Sequence, residues 1–277
     1  MRIIILTGSE LRHHFFRKYI ASQSTIDVVC SFCESQDGNL QQVIASDIKE
    51  SDELRDFHLM IRDKTEQDFF EVFCDTVTDK SNPIFIKKGA INEQSHIDAI
   101  IEMSPDLIIS YGCSIIKGPL IEYFDKKFIN IHLGLSPYYK GAGTNFWPFV
   151  NNELTFVGVT FMYLDKGIDT GNIIHQMRAD IKPNDDIHQI GNRLIRDMSK
   201  ELVKLIHVFP MIRGVVGSIS GDSKVKVYRM KDYTEESVRT AYNNLKNGIV
   251  TEYIKNKAAI DAEFPIVQNP HINSFAS

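Results

Sequence analysis

The chain has no long apolar run: no hydrophobic stretch in its 277 residues approaches the ~18 that a membrane span requires. The opening Met1-Arg2-Ile3-Ile4-Ile5-Leu6 is too short for the apolar region of a signal peptide and lacks a small-residue cleavage site. It reads instead as a first buried strand, and the expected location is cytoplasmic. Basic excess is also missing, since 31 Lys and Arg face 36 Asp and Glu for a net charge of −5. A nucleic-acid partner ordinarily needs a strong basic footprint, so neither nucleic acid nor membrane is expected as a partner. Cysteine is scarce, with four residues at 30, 33, 74 and 113, which excludes a disulfide framework in a chain this long. Cys30-Ser31-Phe32-Cys33 has redox or zinc spacing, but no second pair or nearby His completes a metal site, and buried strand-end thiols are the simpler reading. There is no G-x-G-x-x-G: the first turn is Thr7-Gly8-Ser9, so a dinucleotide fingerprint is absent. No internal repeat or low-complexity segment occurs.

What is present is a repeated strand–turn–helix pattern. Residues 2–6 are followed by a Gly turn and a helical stretch from Leu11 to Ala21. A second strand spans 26–32, and residues 39–78 are polar with apolar side chains at helical spacing, including Leu54, Phe57, Ile61, Phe70 and Phe73. Strands at 83–86 and 106–112 flank a helix over 93–103 that Ser104-Pro105 ends. Such alternation predicts an α/β fold, Rossmann-like, with a mostly parallel twisted sheet flanked by helices. Residues 144–152 read as a helix bearing the single tryptophan, Trp147, as a packing residue; 157–164 and 172–181 read as strands, the latter an antiparallel edge. Residues 185–208 form a long amphipathic helix with Asp185 or Asp186 near its cap. After the Gly/Ser-rich 214–222, a strand over 225–230 and helices over 234–246 and 249–257 make a small C-terminal appendage. The expected division is 1–213 and 214–277, and the tail helices with the 172–181 edge are suited to a homodimer interface.

The stretch 128–174 organises the chain. Asn130 and His132 stand two apart in an apolar run, so on a strand both point to one face. An amide and an imidazole are poor core material unless paired. A Gly/Pro loop follows, Leu135-Ser136-Pro137-Tyr138-Tyr139-Lys140-Gly141, and a second strand leads into Asp165-Lys166-Gly167-Ile168-Asp169-Thr170-Gly171. Asn, His and Asp can therefore converge on one cleft.

These residues resemble the catalytic core of the folate-dependent formyltransferases: Asn-x-His, a Ser-(Leu)-Leu-Pro-x-Tyr-x-Gly loop, Gly-Val-Thr, then Asp-x-Gly. The superfamily includes the sugar N-formyltransferases and the glycinamide ribonucleotide and methionyl-tRNA formyltransferases. The likeness covers roughly residues 80–210. The loop departs in lacking Leu-Leu before Pro137, and Met162 stands where many members carry a polar residue or His.

The resemblance implies Asn130, His132 and Asp169 as the catalytic set. It implies folate contacts from Tyr111, Ser114, Ile115, Ile116, Leu164 and Asp165, with backbone groups of the 111–116 segment receiving the pterin; Asp165 can equally shape its own turn. Acceptor contacts are implied from Gly8, Ser9, Ser136, Tyr138, Lys140 and Gly141, although Thr7-Gly8-Ser9 also reads as a plain tight turn. Arg55, His58 and Arg62 are within reach of a substrate phosphate, or else belong to a solvated helix face. The implied co-substrate is N10-formyltetrahydrofolate, with no metal. The expected reaction is formyl transfer to the primary amine of a small substrate, foremost a nucleotide-linked amino sugar. Formyltetrahydrofolate hydrolysis, formylation of another amine such as glycinamide ribonucleotide, and a non-catalytic folate or nucleotide sensor stay open as alternatives.

Overall fold

A computed structural model describes residues 1–35, 53–219 and 224–274, apart from the side chain of Arg55. In chain order the first half runs β1 (Arg2–Gly8), α1 (Leu11–Ala21), β2 (Asp27–Glu34), α2 (Glu53–Thr76), β3 (Pro83–Ile86), α3 (Gln94–Met103), β4 (Leu107–Tyr111), α4 (Gly118–Tyr123) and β5 (Phe128–His132). The second half runs β6 (Tyr139–Gly141), α5 (Trp147–Val150), β7 (Gly158–Tyr163), β8 (Ile173–Arg178), α6 (Ile187–Val208), β9 (Lys226–Tyr228), α7 (Glu235–Lys246), α8 (Ile249–Glu263) and α9 (Pro270–Ser274). The expected helical stretch 39–78 falls partly outside the described residues, as does the Arg55 contact. Among the described residues no helix is long and apolar enough to cross a membrane.

Seven strands make the main sheet in the order β3-β2-β1-β4-β5-β7-β8. The first five are mutually parallel, and β7 and β8 each run antiparallel to the strand before them. β1 shows why the sheet has two cores. Ile3 and Ile5 enter a cluster with Phe16 and Phe70 of α1 and α2, whereas Ile4 and Leu6 enter another with Ile100 and Leu120 of α3 and α4. A strand covered on both faces must be apolar at every position, which is why Ile3-Ile4-Ile5-Leu6 shows no alternation. The chain moves outward from β1 to β2 and β3, then returns to β4 on the other side of β1. The carboxyl ends of β1 and β4 therefore bound a crevice of the kind in which ligands sit.

α6 backs the sheet and begins at a capping box, in which Asp186 accepts from the N–H groups of His188 and Gln189. Two helices depart most from expectation, and the strand expected over 172–181 stops at Arg178. The helix expected over 144–152 is reduced to Trp147–Val150, because Pro148 is tolerated only in a first turn. α8 runs on to Glu263, since Ala258, Ala259 and Ile260 keep helical character until Pro265.

The C-terminal segment packs on the rest of the chain. β9 pairs in parallel with β6, and Tyr228 stacks on Trp147 at 4.0 Å and 7°. Val238, Ala241, Val250 and Tyr253 lie in the same cluster as Phe149 and Phe156. Residues beyond α8 then run along β8, where the Gln176 N–H donates to Val267 O at 2.8 Å and the Gln176 side chain accepts from Val267 N at 3.0 Å. Part of the edge expected to pair with a second copy is thereby covered by the chain itself.

Candidate active site

Asn130 and His132 lie at the carboxyl end of β5 on the face opposite Ile129 and Ile131. In register with Asn130 on β4 is Ser110, whose hydroxyl meets Asn130 Oδ1 at 3.0 Å. That contact occupies the amide oxygen and leaves the NH2 group as the donor. His132 is held at both ring nitrogens: Nδ1 stands 3.2 Å from Asp169 Oδ1, and Nε2 2.9 Å from the Tyr139 carbonyl. Both partners are acceptors, an arrangement that an imidazolium satisfies twice and a neutral ring once. Asp169 adopts a left-handed backbone (φ 50°), and its second oxygen accepts from Gly141 N at 2.9 Å. Asp tolerates that backbone better than most residues, and such outliers gather at functional sites. The loop after β5 and the loop after β7 are thus tied together at the Asp169 carboxylate.

Asn130, His132 and Asp169 line one cavity of about 790 Å³. Tyr111, Ser114, Ile115, Ile116, Leu164 and Asp165, expected at a folate site, line it too. Of their backbone groups, Ser114 N donates to Glu34 Oε2 at 2.6 Å and Ile115 O accepts from Asn92 at 3.0 Å. This segment is therefore shaped by Glu34 and Asn92, and some of the donors expected to face a pterin are taken. Asp165 accepts from Gly167 N at 3.0 Å and Thr170 Oγ1 at 2.8 Å, so it braces the turn that carries Asp169.

Of the expected acceptor residues, Gly141 lines the cavity, but Gly8, Ser9, Ser136, Tyr138 and Lys140 do not. Gly8 is screened by His13: a Cβ there would lie 2.6 Å from the His13 ring, and one on Gly112 would lie 2.2 Å from it. His13 is therefore wedged between the turns after β1 and β4, and both positions require glycine. Ser136 is buried, with its N–H on Thr160 and its carbonyl on Gln176. Tyr138 packs into an aromatic cluster with Phe156 and Phe264. Lys140 sits on β6 beside Val227.

His58 and Arg62, read in the sequence as within reach of a substrate phosphate, line the cavity. So do Arg12, Glu66, His188, Arg229 and Tyr233, which no motif marked. Glu66 accepts from Arg12 N at 2.7 Å and from the Arg12 guanidinium at 3.0 Å, capping α1 from another helix. Burial, and to a lesser degree Arg62, lowers His58 to about 4; burial, with His58 and Arg62, lowers His188 to about 3. Cys30 and Cys33 are buried free thiols that burial pushes up to about 11, so neither is an activated nucleophile.

Comparison with known proteins places this geometry. The formyl transferase family model matches residues 1–206. The methionyl-tRNA formyltransferase of Desulforamulus reducens is 36% identical over 111 residues, 39% of this chain and 34% of that protein. That of Syntrophus aciditrophicus is 33% identical over 111 residues, again 39% of this chain and 35% of that protein. The matches thus span about a third of the length of these curated relatives. In fold, the chain is similar to a sugar N-formyltransferase from a Shewanella species (TM-score 0.55, 14% identity, 88% of this chain and 87% of that one). It is also similar to an N-formyltransferase from Helicobacter canadensis in complex with folinic acid and dTDP-3-aminofucose (TM-score 0.54, 16% identity, 88% and 80%). The family match covers the whole sheet together with Asn130, His132, Asp169 and nearly all of α6, and the chain belongs to the formyl transferase family.

Proposed function

We propose that this chain transfers a formyl group from N10-formyltetrahydrofolate to the primary amine of a nucleotide-linked amino sugar. The observation that carries the reading is the convergence of Asn130, His132 and Asp169 on one cavity in a chain of this family. Its volume of about 790 Å³ lies within the range of small-molecule sites, and the Ile115, Ile116 and Leu164 wall suits a flat ring system.

In the proposed reaction the neutral amine attacks the formyl carbon, and the carbonyl electrons pass to oxygen. The Asn130 NH2 group, oriented by Ser110, is the donor for that oxyanion. Preorganised donors of this kind lower the barrier by roughly 3–4 kcal/mol. His132 is not free to be a second donor as it stands, since both its nitrogens are engaged. It serves the oxyanion only by releasing the Tyr139 carbonyl, the uncharged partner of the two. Asp169 fixes the ring orientation through its contact with Nδ1. Collapse of the intermediate breaks the bond from carbon to N10, and the proton lost by the amine passes through the His132–Asp169 pair to that nitrogen. The products are a formamide and tetrahydrofolate.

The acidic net charge of −5 favours a small acceptor over tRNA. The methionyl-tRNA formyltransferase relatives nevertheless make methionyl-tRNA the second acceptor to test. The deciding experiment incubates the protein with N10-formyltetrahydrofolate and a panel of dTDP-, UDP- and GDP-linked amino sugars, or with methionyl-tRNA, and follows formylation by mass. A formylated sugar is the expected result. Formate alone would replace transfer with hydrolysis, and a formylated tRNA would replace the acceptor.

A further inference from the structure

Two guanidinium groups line the cavity near the start of α1, and only one of them is saturated. Arg12 is bound by Glu10 and by both oxygens of Glu66, through its side chain and its backbone N–H. Arg62 is largely buried, with 18% of its side chain exposed, and its nearest carboxylate oxygen is Glu10 Oε1 at 3.7 Å. That distance is beyond a hydrogen bond. Burial and the Arg12 charge hold the guanidinium down at about 10, against the opposing pull of Glu66, Tyr233 and Asp63.

Beside it stands a pair of imidazoles. His58 is one helical turn before Arg62 on α2, so the two share a face. Its nitrogens are both used, at 2.6 Å from the Tyr233 hydroxyl and 3.2 Å from that of Tyr242. His188, in the first turn of α6, lies with its ring 4.6 Å from that of His58. Its Nε2 is buried and has no hydrogen-bond partner among the described residues. A buried polar nitrogen left open is destabilising, and a ligand atom placed on it relieves that cost.

The α1 N-terminus is a poor alternative for an anion, because Glu66 already places a carboxylate on the Arg12 N–H at 2.7 Å. An incoming anion would have to displace a charged group held at two points.

We infer that Arg62 and His188 form the subsite for a phosphoryl group of the acceptor, with the β1–α1 turn closed to it by Glu66. The inference rests on the proposed reading of this cavity as the place where an acceptor amine binds. Arg62 supplies charge and a planar fork of donors; neutral His188 supplies one hydrogen bond. The two hold the acceptor by its anionic end and leave its amine directed to the formyl carbon at Asn130.

The test uses the full chain and two separate titrations by calorimetry. Pyrophosphate, without folate, is expected to bind at one site per chain, and Arg62→Gln should weaken it at least tenfold. Arg62→Lys should recover part of the loss, and His188→Phe should weaken binding several-fold. Folinic acid, titrated alone, should bind wild type and Arg62→Gln alike, which also reports that the variant is folded. If Arg62→Gln fails that control, Arg62→Lys against His188→Phe decides: both at wild-type affinity for pyrophosphate would overturn the assignment. It is equally overturned if wild type does not bind pyrophosphate, if Arg62→Gln binds it within twofold of wild type, or if succinate binds as tightly. Pyrophosphate binding without folinic acid binding would leave the subsite standing and remove formyl transfer; the reverse pattern would do the opposite.

Discussion

The Ser110 hydroxyl lies 3.0 Å from Asn130 Oδ1, across the register of two parallel strands. An amide has an acceptor end and a donor end, and with the oxygen on Ser110 the NH2 group meets the cavity. Ser110→Ala should therefore lower kcat about tenfold with KM little changed, since the amide then samples both orientations. Steady-state kinetics of the formylation reaction check this. Asn130→Asp should cost far more, about 10²–10³ in kcat, because it removes the donor itself.

On the proposed proton route His132 and Asp169 act as one unit. Their 3.2 Å contact leads us to expect that His132→Ala and Asp169→Asn each reduce kcat by about 10²–10⁴. The double variant should be little worse than His132→Ala alone, since residues that work together are strongly non-additive. Additive losses in a double-mutant cycle would separate the two roles.

The motif residues were legible in the sequence because their positions are local: Asn130 and His132 share a strand face, and Asp169 closes the next strand's loop. The mostly parallel sheet followed from alternation, and Asp185 or Asp186 was visible as a cap before an amphipathic run, Asp186 proving to be the one; the strand order was not legible. The residues that were not legible are brought in by pairing at a distance. Ser110 looks like any strand serine until β4 and β5 are set in register. Glu66 looks like a solvated helix residue until it is found on the N–H of Arg12, 54 positions away. Tyr138 carried a motif signal, yet packing outweighed it, because an aromatic ring gains more from Phe156 and Phe264 than from a solvated loop.

Trp147 reports on whether the tail is a separate unit. It is 4% exposed, donates to Ala142 O at 2.9 Å and stacks on Tyr228 of β9. A tail that belongs to the same core should unfold with it. Trp fluorescence and far-UV circular dichroism should then give coincident urea midpoints. Tyr228→Ala should lower stability by about 2 kcal/mol and shift both midpoints together. An early fluorescence change, with the dichroism unmoved, would make 214–277 an independently melting appendage.

The buried imidazoles give the protein a pH response in a definite window. Burial is the main cause that lowers His58 to about 4 and His188 to about 3, against an ordinary 6.5. Between those values the unfolded chain binds protons that the folded chain refuses, so stability rises with pH across the window. It is complete above about 6.5 and is lost as pH falls toward 4 and 3. From pH 7 to pH 5 the loss should be roughly 2 kcal/mol for each ring, with relaxation of the fold reducing it. Asp79, Asp185 and Asp261 are also held low, but an unfolded Asp titrates near 3.8, so their effect falls below pH 5. Urea midpoints at pH 7 and pH 5 should differ for wild type, and the difference should shrink in the His58→Gln/His188→Gln double variant, the remainder belonging to His13 and His14, which burial also lowers. An unchanged difference would move the response to other groups and leave the two imidazoles protonated in the folded chain.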